Sequence, residues 1–217
     1  MLRLLADTDP SIRMAAIRAL SGRPEADVAR RLAQELEHET APEVVALIAE
    51  ALGGMDDPVA IDPLLAALDR QLPDTARRVV VNALGSVVGG LDSLYPYLAL
   101  DPFARDETVT KFLLAVQRRY AGRAGRTIAA RRAAVRARQA LDAYTAGRLD
   151  ICVRRLASLG KEIVAAAHVP LPAPERRILD HLTARAAGPD AATIEDVLLA
   201  LFIAKRIADT NPHARTK

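Results

Sequence analysis

Eleven arginines, two aspartates and no lysine or glutamate fall between residues 118 and 155. A guanidinium is planar, permanently charged and matched to the two oxygens of a carboxylate or phosphate, so recognition chemistry is sought here first. Residues 123–148 read as one long helix. At about 100° per residue, Ala130, Ala133, Ala134, Ala137, Ala140, Leu141 and Tyr144 fall on one side, and Arg131, Arg132, Arg136 and Arg138 on the other. Three uses fit such a face: a solvated surface, a dock for an acidic protein surface (another copy's acidic half included), or a contact for nucleic acid. The Ala-, Arg- and Leu-heavy composition suggests GC-rich coding, which favours arginine over lysine and weakens any argument from arginine identity alone.

Other reactive side chains are sparse. Cys152 is the only cysteine, so no internal disulfide or cysteine-based zinc cluster exists. His38, His168, His181 and His213 lack metal-ligand spacing, and neither metal nor cofactor is expected. Gly122 and Gly125 lack the lysine and preceding strand of a phosphate loop. The paired acids Asp56 and Asp57 fall at a repeat turn, where aspartate caps helices. One pairing suits phosphodiester chemistry: Arg176-Arg177-Ile178-Leu179-Asp180-His181. Its spacing resembles the ribonuclease motif of HEPN domains, which are small helical bundles. The resemblance implies Arg176 and His181 as the active pair, stabilising and moving protons at a scissile phosphate. Arg177 departs from the polar residue usual there, and an arginine-rich helix yields this spacing by chance. The simpler reading is a surface histidine beside Asp180. A base-excision glycosylase is disfavoured, because residues 1–100 are acidic and poor in aromatics.

The elements that position these residues follow a period of 32. Leu4, Leu36, Leu68 and Leu100 form one column; Leu20, Leu52, Leu84 and Val116 another; Ala19, Ala51, Ala83 and Ala115 a third; and Ile17, Ala49 and Val81 a fourth. Each period reads as two helices. The first carries Val28, Leu32 and Leu36, then Ile61, Leu65 and Leu68, at helical spacing. Asp9-Pro10, Ala41-Pro42 and Leu72-Pro73 break the chain, and proline suits the first turn of the next helix. Second helices are predicted over 12–20, 44–52 and 76–84. Gly53 and Gly85, with Ser21-Gly22 in the first copy, stand where left-handed C-caps are expected.

The stretch Leu4-Leu5-Ala6-Asp7-Thr8-Asp9-Pro10-Ser11-Ile12-Arg13-Met14-Ala15-Ala16-Ile17-Arg18-Ala19-Leu20 resembles the HEAT-like repeat named after phycobilisome lyases. Ala76–Gly85 matches the second half of that pattern, Val45 replaces the arginine found at Arg13 and Arg77, and the fourth copy near 108–117 is degenerate. The resemblance implies stacked helix pairs with a long concave face lined by the second helices. Arg13, Arg18, Glu43, Glu50, Arg77 and Arg78 are the exposed candidates there. Arg13, Arg77 and Arg78 are candidate ligand contacts; the simpler reading pairs the repeat arginines with acids of neighbouring turns, such as Asp9 or Asp74.

The expected fold is all-α: a HEAT-type solenoid of about four helix pairs over 1–120, an arginine-rich helical region over 121–210 forming a small bundle, and a frayed tail over 211–217. In the bundle, helices are predicted over 151–167 and 175–187, with a last helix capped by Thr193 and Asp196. The halves differ in charge. Residues 1–100 hold nine Lys+Arg against fifteen Asp+Glu, a net of −6, and residues 101–217 carry +9. This asymmetry points to a partner. A non-catalytic scaffold with an acidic protein partner fits best, because the acidic half would repel nucleic acid and few aromatics can stack bases. Nucleic-acid binding through 123–148 is the alternative, and a HEPN-like ribonuclease the remote one. The short first helix leads to the expectation that the chain is a fragment, or that a partner (a second copy included) covers Ile12, Ala16 and Leu20. No secretory signal or membrane span is read, and a cytoplasmic location is expected.

Overall fold

The computed structural model describes residues 2–21, 23, 25–91, 93–122, 127–188 and 192–210. Arg123 and Arg126, at the start of the expected arginine helix, lie outside these, as do Gly22, Gly125, Pro189 and the tail 211–217. The described residues are all-α, with two compact units, 1–98 and 99–217.

The first unit holds a 3-10 segment Leu2–Ala6, α1 (Pro10–Leu20), α2 (Ala26–His38), α3 (Pro42–Gly53), a 3-10 turn Pro58–Ala60, α4 (Ile61–Leu68), α5 (Asp74–Gly89) and the short α6 (Tyr95–Leu98). Proline opens α1 and α3 at the first helical positions, and Pro73 immediately precedes α5. The Asp9 side chain accepts from the Ser11 amide, completing an N-cap. Two layers result: α3 lies between α1 and α5, while α2 packs against α4 and the 3-10 segment. Leu20, Leu52 and Leu84 are buried at equivalent positions, as the period requires. Leu4 departs from its column. In the tight 3-10 turn Leu5 is buried instead, and Leu4 stays 44% exposed. Of the stripe Ile12, Ala16 and Leu20, only Ile12 is exposed; Ala16 and Leu20 are in the core.

Gly53 and Gly85 do not act as left-handed caps. Gly53 is the last helical residue of α3, followed by Gly54 at φ −78°, and Gly85 lies inside α5. Their missing side chains permit close approach. A Cβ on Gly53 would sit 2.9 Å from the Ala83 Cα, and one on Gly85 would sit 2.5 Å from the Leu94 Cβ. Among the described glycines of the first unit the positive φ falls at Gly90 (φ 91°), after α5 has run a turn further than the repeat pattern suggests.

The second unit holds α7 (Pro102–Ala121), α8 (Ile128–Thr145), α9 (Leu149–Ala167), α10 (Ala173–Arg185) and α11 (Ile194–Thr210). The sequence pattern carries the array to residue 120, whereas the unit boundary falls at Leu98. The fourth first-helix shrinks to α6, and α7 packs along α8. α9 lies against α8, α10 and α11, and Gly160 lets Leu179 and Ile207 approach it. The Thr193 hydroxyl accepts from the Asp196 amide, and Asp196 accepts from the Thr193 amide, so the expected reciprocal cap opens α11. No helix among the described residues is long and apolar enough to cross a membrane.

Candidate docking surfaces

The repeat arginines are held inside the first unit. Arg13 donates to both Glu39 oxygens at 2.7 and 3.0 Å and to the Asp7 and Thr8 carbonyls at 2.8 and 3.2 Å. Glu39 also accepts from the Thr40 and Ala41 amides, both at 2.9 Å. Burial alone would push its carboxyl up, but the Arg13 hydrogen bonds and the two amides outweigh that and hold it below its ordinary value. The ion-pair partner of Arg13 is therefore Glu39 of the next repeat, with Asp7 and Asp9 adding negative charge nearby. Arg77 pairs with Asp74 at 3.3 Å and donates to the Leu72 carbonyl at 3.2 Å. Both arginines are fastened to the turn that precedes their helix.

Val45 leaves that place empty in the middle copy, and Arg70 fills it from the third. Its guanidinium donates to the Glu39 carbonyl at 2.6 Å and to the Leu36 carbonyl. Glu39 is one period after Asp7, so the same carbonyl is satisfied in both copies by different arginines.

The open face of the second-helix layer follows the period too. Ala15, Leu47 and Val79 form one register, Met14, Ala46 and Arg78 the next, and Arg18, Glu50 and Asn82 a third. Arg18, Glu43, Glu50 and Arg78 are exposed there. The mixed charges give this face no dominant sign.

α8 contrasts with this. Ala130, Ala133, Ala137, Ala140 and Ala143 are buried, with Ala134, Leu141 and Tyr144 at its margins. Arg131, Arg132 and Arg138 are exposed, and Arg136 is half-buried. Arg136 donates to Gln139 at 3.0 Å, and Arg138 stands 4.0 Å from Asp142. Among the described residues neither Arg131 nor Arg132 has an ion pair or side-chain hydrogen bond. Ile128 (63% exposed) and Val135 (52%) stand on the same outer face, and with Arg131, Arg132 and Arg136 they line a shallow open depression.

Two other constellations are internally occupied. In a depression near the α8–α9 turn, Tyr144 donates to Asp106 at 2.5 Å, beside Arg105 and Thr110. Burial and the Asp106 carboxylate push the Tyr144 phenol up to about 12. On α10, Arg176 donates to the Leu171 carbonyl at 3.1 Å, and Asp180 pairs with Lys161 at 2.7 Å. Arg176 and His181 are five residues apart, about 140° around the helix, so they do not share one face. Burial drives the Cys152 thiol up to about 12, which makes it a poor nucleophile. Among the described residues no group of three His, Cys, Asp or Glu is placed to hold a metal.

Residues 1–85 match the family model described as HEAT repeats. The N-terminal region is made of HEAT repeats. No curated protein and no solved structure matches the chain. HEAT repeats commonly serve as protein-interaction scaffolds and are generally non-enzymatic. Within this HEAT region, Arg70 was not singled out by its sequence, although the missing arginine at Val45 was a signal that another donor must serve the same turn. Ile128 and Val135, beyond the HEAT region, were also missed. They are two β-branched residues seven apart among the arginines, on the side of α8 away from its buried alanines.

Proposed function

We propose that the chain is a non-catalytic protein-interaction scaffold. Its HEAT region supplies a stacked framework, and α8 presents the surface that docks an acidic protein partner inside the cell. The observation that supports this reading is the contrast between arginines. Arg13, Arg70 and Arg77 serve the turns of the fold, whereas Arg131 and Arg132 are exposed and make no ion pair among the described residues. Such a helix face attracts carboxylates and speeds encounter with an acidic surface.

Nucleic acid is the second reading, carried by the same arginines. Titration of the purified chain with duplex DNA and with RNA, at low and at physiological salt, separates the two. Docking to protein predicts weak nucleic-acid binding that vanishes at about 0.15 M salt. Phosphate recognition predicts binding that survives there. Its salt slope would then fall by about 0.9 for each arginine removed among Arg131, Arg132, Arg136 and Arg138.

A further inference from the structure

We infer that the outer face of α8 is a dock for an acidic amphipathic helix that carries two bulky apolar residues about two turns apart. The inference rests on the scaffold reading above and deepens it. Ile128 and Val135 are one heptad apart, so they lie about 10 Å from each other along α8 and on nearly the same side. Arg131 and Arg132 stand between them, and Arg136 flanks the second. The aliphatic stems of these arginines extend the apolar floor, while their charged heads reach solvent at its edges.

A partner matching this pattern needs apolar groups to cover Ile128 and Val135 and carboxylates to meet the guanidiniums. An acidic amphipathic helix supplies both at one spacing, the helix-in-groove mode of recognition. A phosphate backbone supplies only the charges and leaves two exposed β-branched side chains without partners. No aromatic residue stands on this face to stack a base; the aromatic of α8, Tyr144, is half-buried and bonded to Asp106.

The test uses the full chain and a fluorescein-labelled peptide of about five helical turns, with two leucines one heptad apart between glutamates. Fluorescence anisotropy is read at about 0.15 M salt. A control peptide has serine for both leucines, and duplex DNA and anionic phospholipid vesicles form separate arms. The leucine peptide is expected to bind, and the control at least about tenfold more weakly. Ile128→Ser and Val135→Ser are each expected to weaken the leucine peptide by about tenfold. Val135→Leu should retain affinity. Both positions are exposed, so circular dichroism should show the fold intact. Equal binding to wild type and both serine variants overturns the inference but leaves the scaffold reading standing, as does failure of this peptide to bind. Tighter binding to the duplex or the vesicles than to the peptide overturns both.

Discussion

Gly53→Ala should destabilise the first unit, although alanine is the better helix former. Within a helix, replacing glycine by alanine favours folding by about 0.8–1.0 kcal/mol. Here the new Cβ would stand 2.9 Å from the Ala83 Cα and 3.1 Å from the Ala83 Cβ. Carbon atoms in contact prefer about 3.5–4.0 Å, so α3 and α5 must separate by roughly 0.5–1 Å. The obstacle is backbone, and no rotamer change relieves it. Leu52 and Leu84, fully buried nearby, would lose contact as the helices part. Overpacking of this kind costs about 1–3 kcal/mol, so once the propensity gain is subtracted the net loss is up to about 2 kcal/mol. In a unit of this size that lowers Tm by several degrees. Gly54→Ala is the control, because its added Cβ would meet only carbonyl oxygens at 3.6 and 3.7 Å, with φ at −78°. Thermal and urea melts of the two variants decide the matter. If Gly53→Ala matches or exceeds wild type, the glycine does not serve close packing.

Further expectations concern the core, the inter-repeat network and the second unit. Leu52→Ala should cost about 2–5 kcal/mol in urea denaturation, since its side chain is fully buried. Glu39→Gln should lower the urea midpoint at pH 7. Because the folded carboxyl ionises below its ordinary value of 4.5, its contribution is present above that pH and is lost as pH falls through the lowered value. The two midpoints should therefore converge on acidification, and equality at pH 7 would refute the role of the pair. Arg70→Met should cost about 1–2 kcal/mol by uncapping α2, visible as faster amide exchange at the turn before α3. Ultraviolet titration should show a component near pH 12 from Tyr144, which is lost in Tyr144→Phe.

The fold was legible where the sequence repeats. A period of 32 fixed the registers of Leu20, Leu52 and Leu84, and prolines marked the starts of the second helices. Local chemistry was legible too, as the Thr193–Asp196 cap shows. What sequence did not disclose depends on distances between helices. Gly53 and Gly85 carry the same local signature as C-caps, and only the approach of Ala83 and Leu94 reveals their role. Arg13 has Asp7 and Asp9 just before it in sequence, yet its ion-pair partner is 26 residues away. On α8 the arginines were found by type alone. The apolar pair among them required knowing which arc of an alanine-rich helix the neighbouring helices leave open.

The salt dependence of peptide binding, compared between wild type and an Ile128→Ser/Val135→Ser double variant, tests the docking face most directly. Added salt screens the arginines down to a Debye length of about 3 Å at 1 M, but it does not weaken apolar contact. Wild type should retain measurable affinity for the leucine peptide at about 1 M salt, while the double variant should lose it. If both proteins instead follow one line to zero affinity as salt rises, the α8 face is a charge patch alone and the account is contradicted.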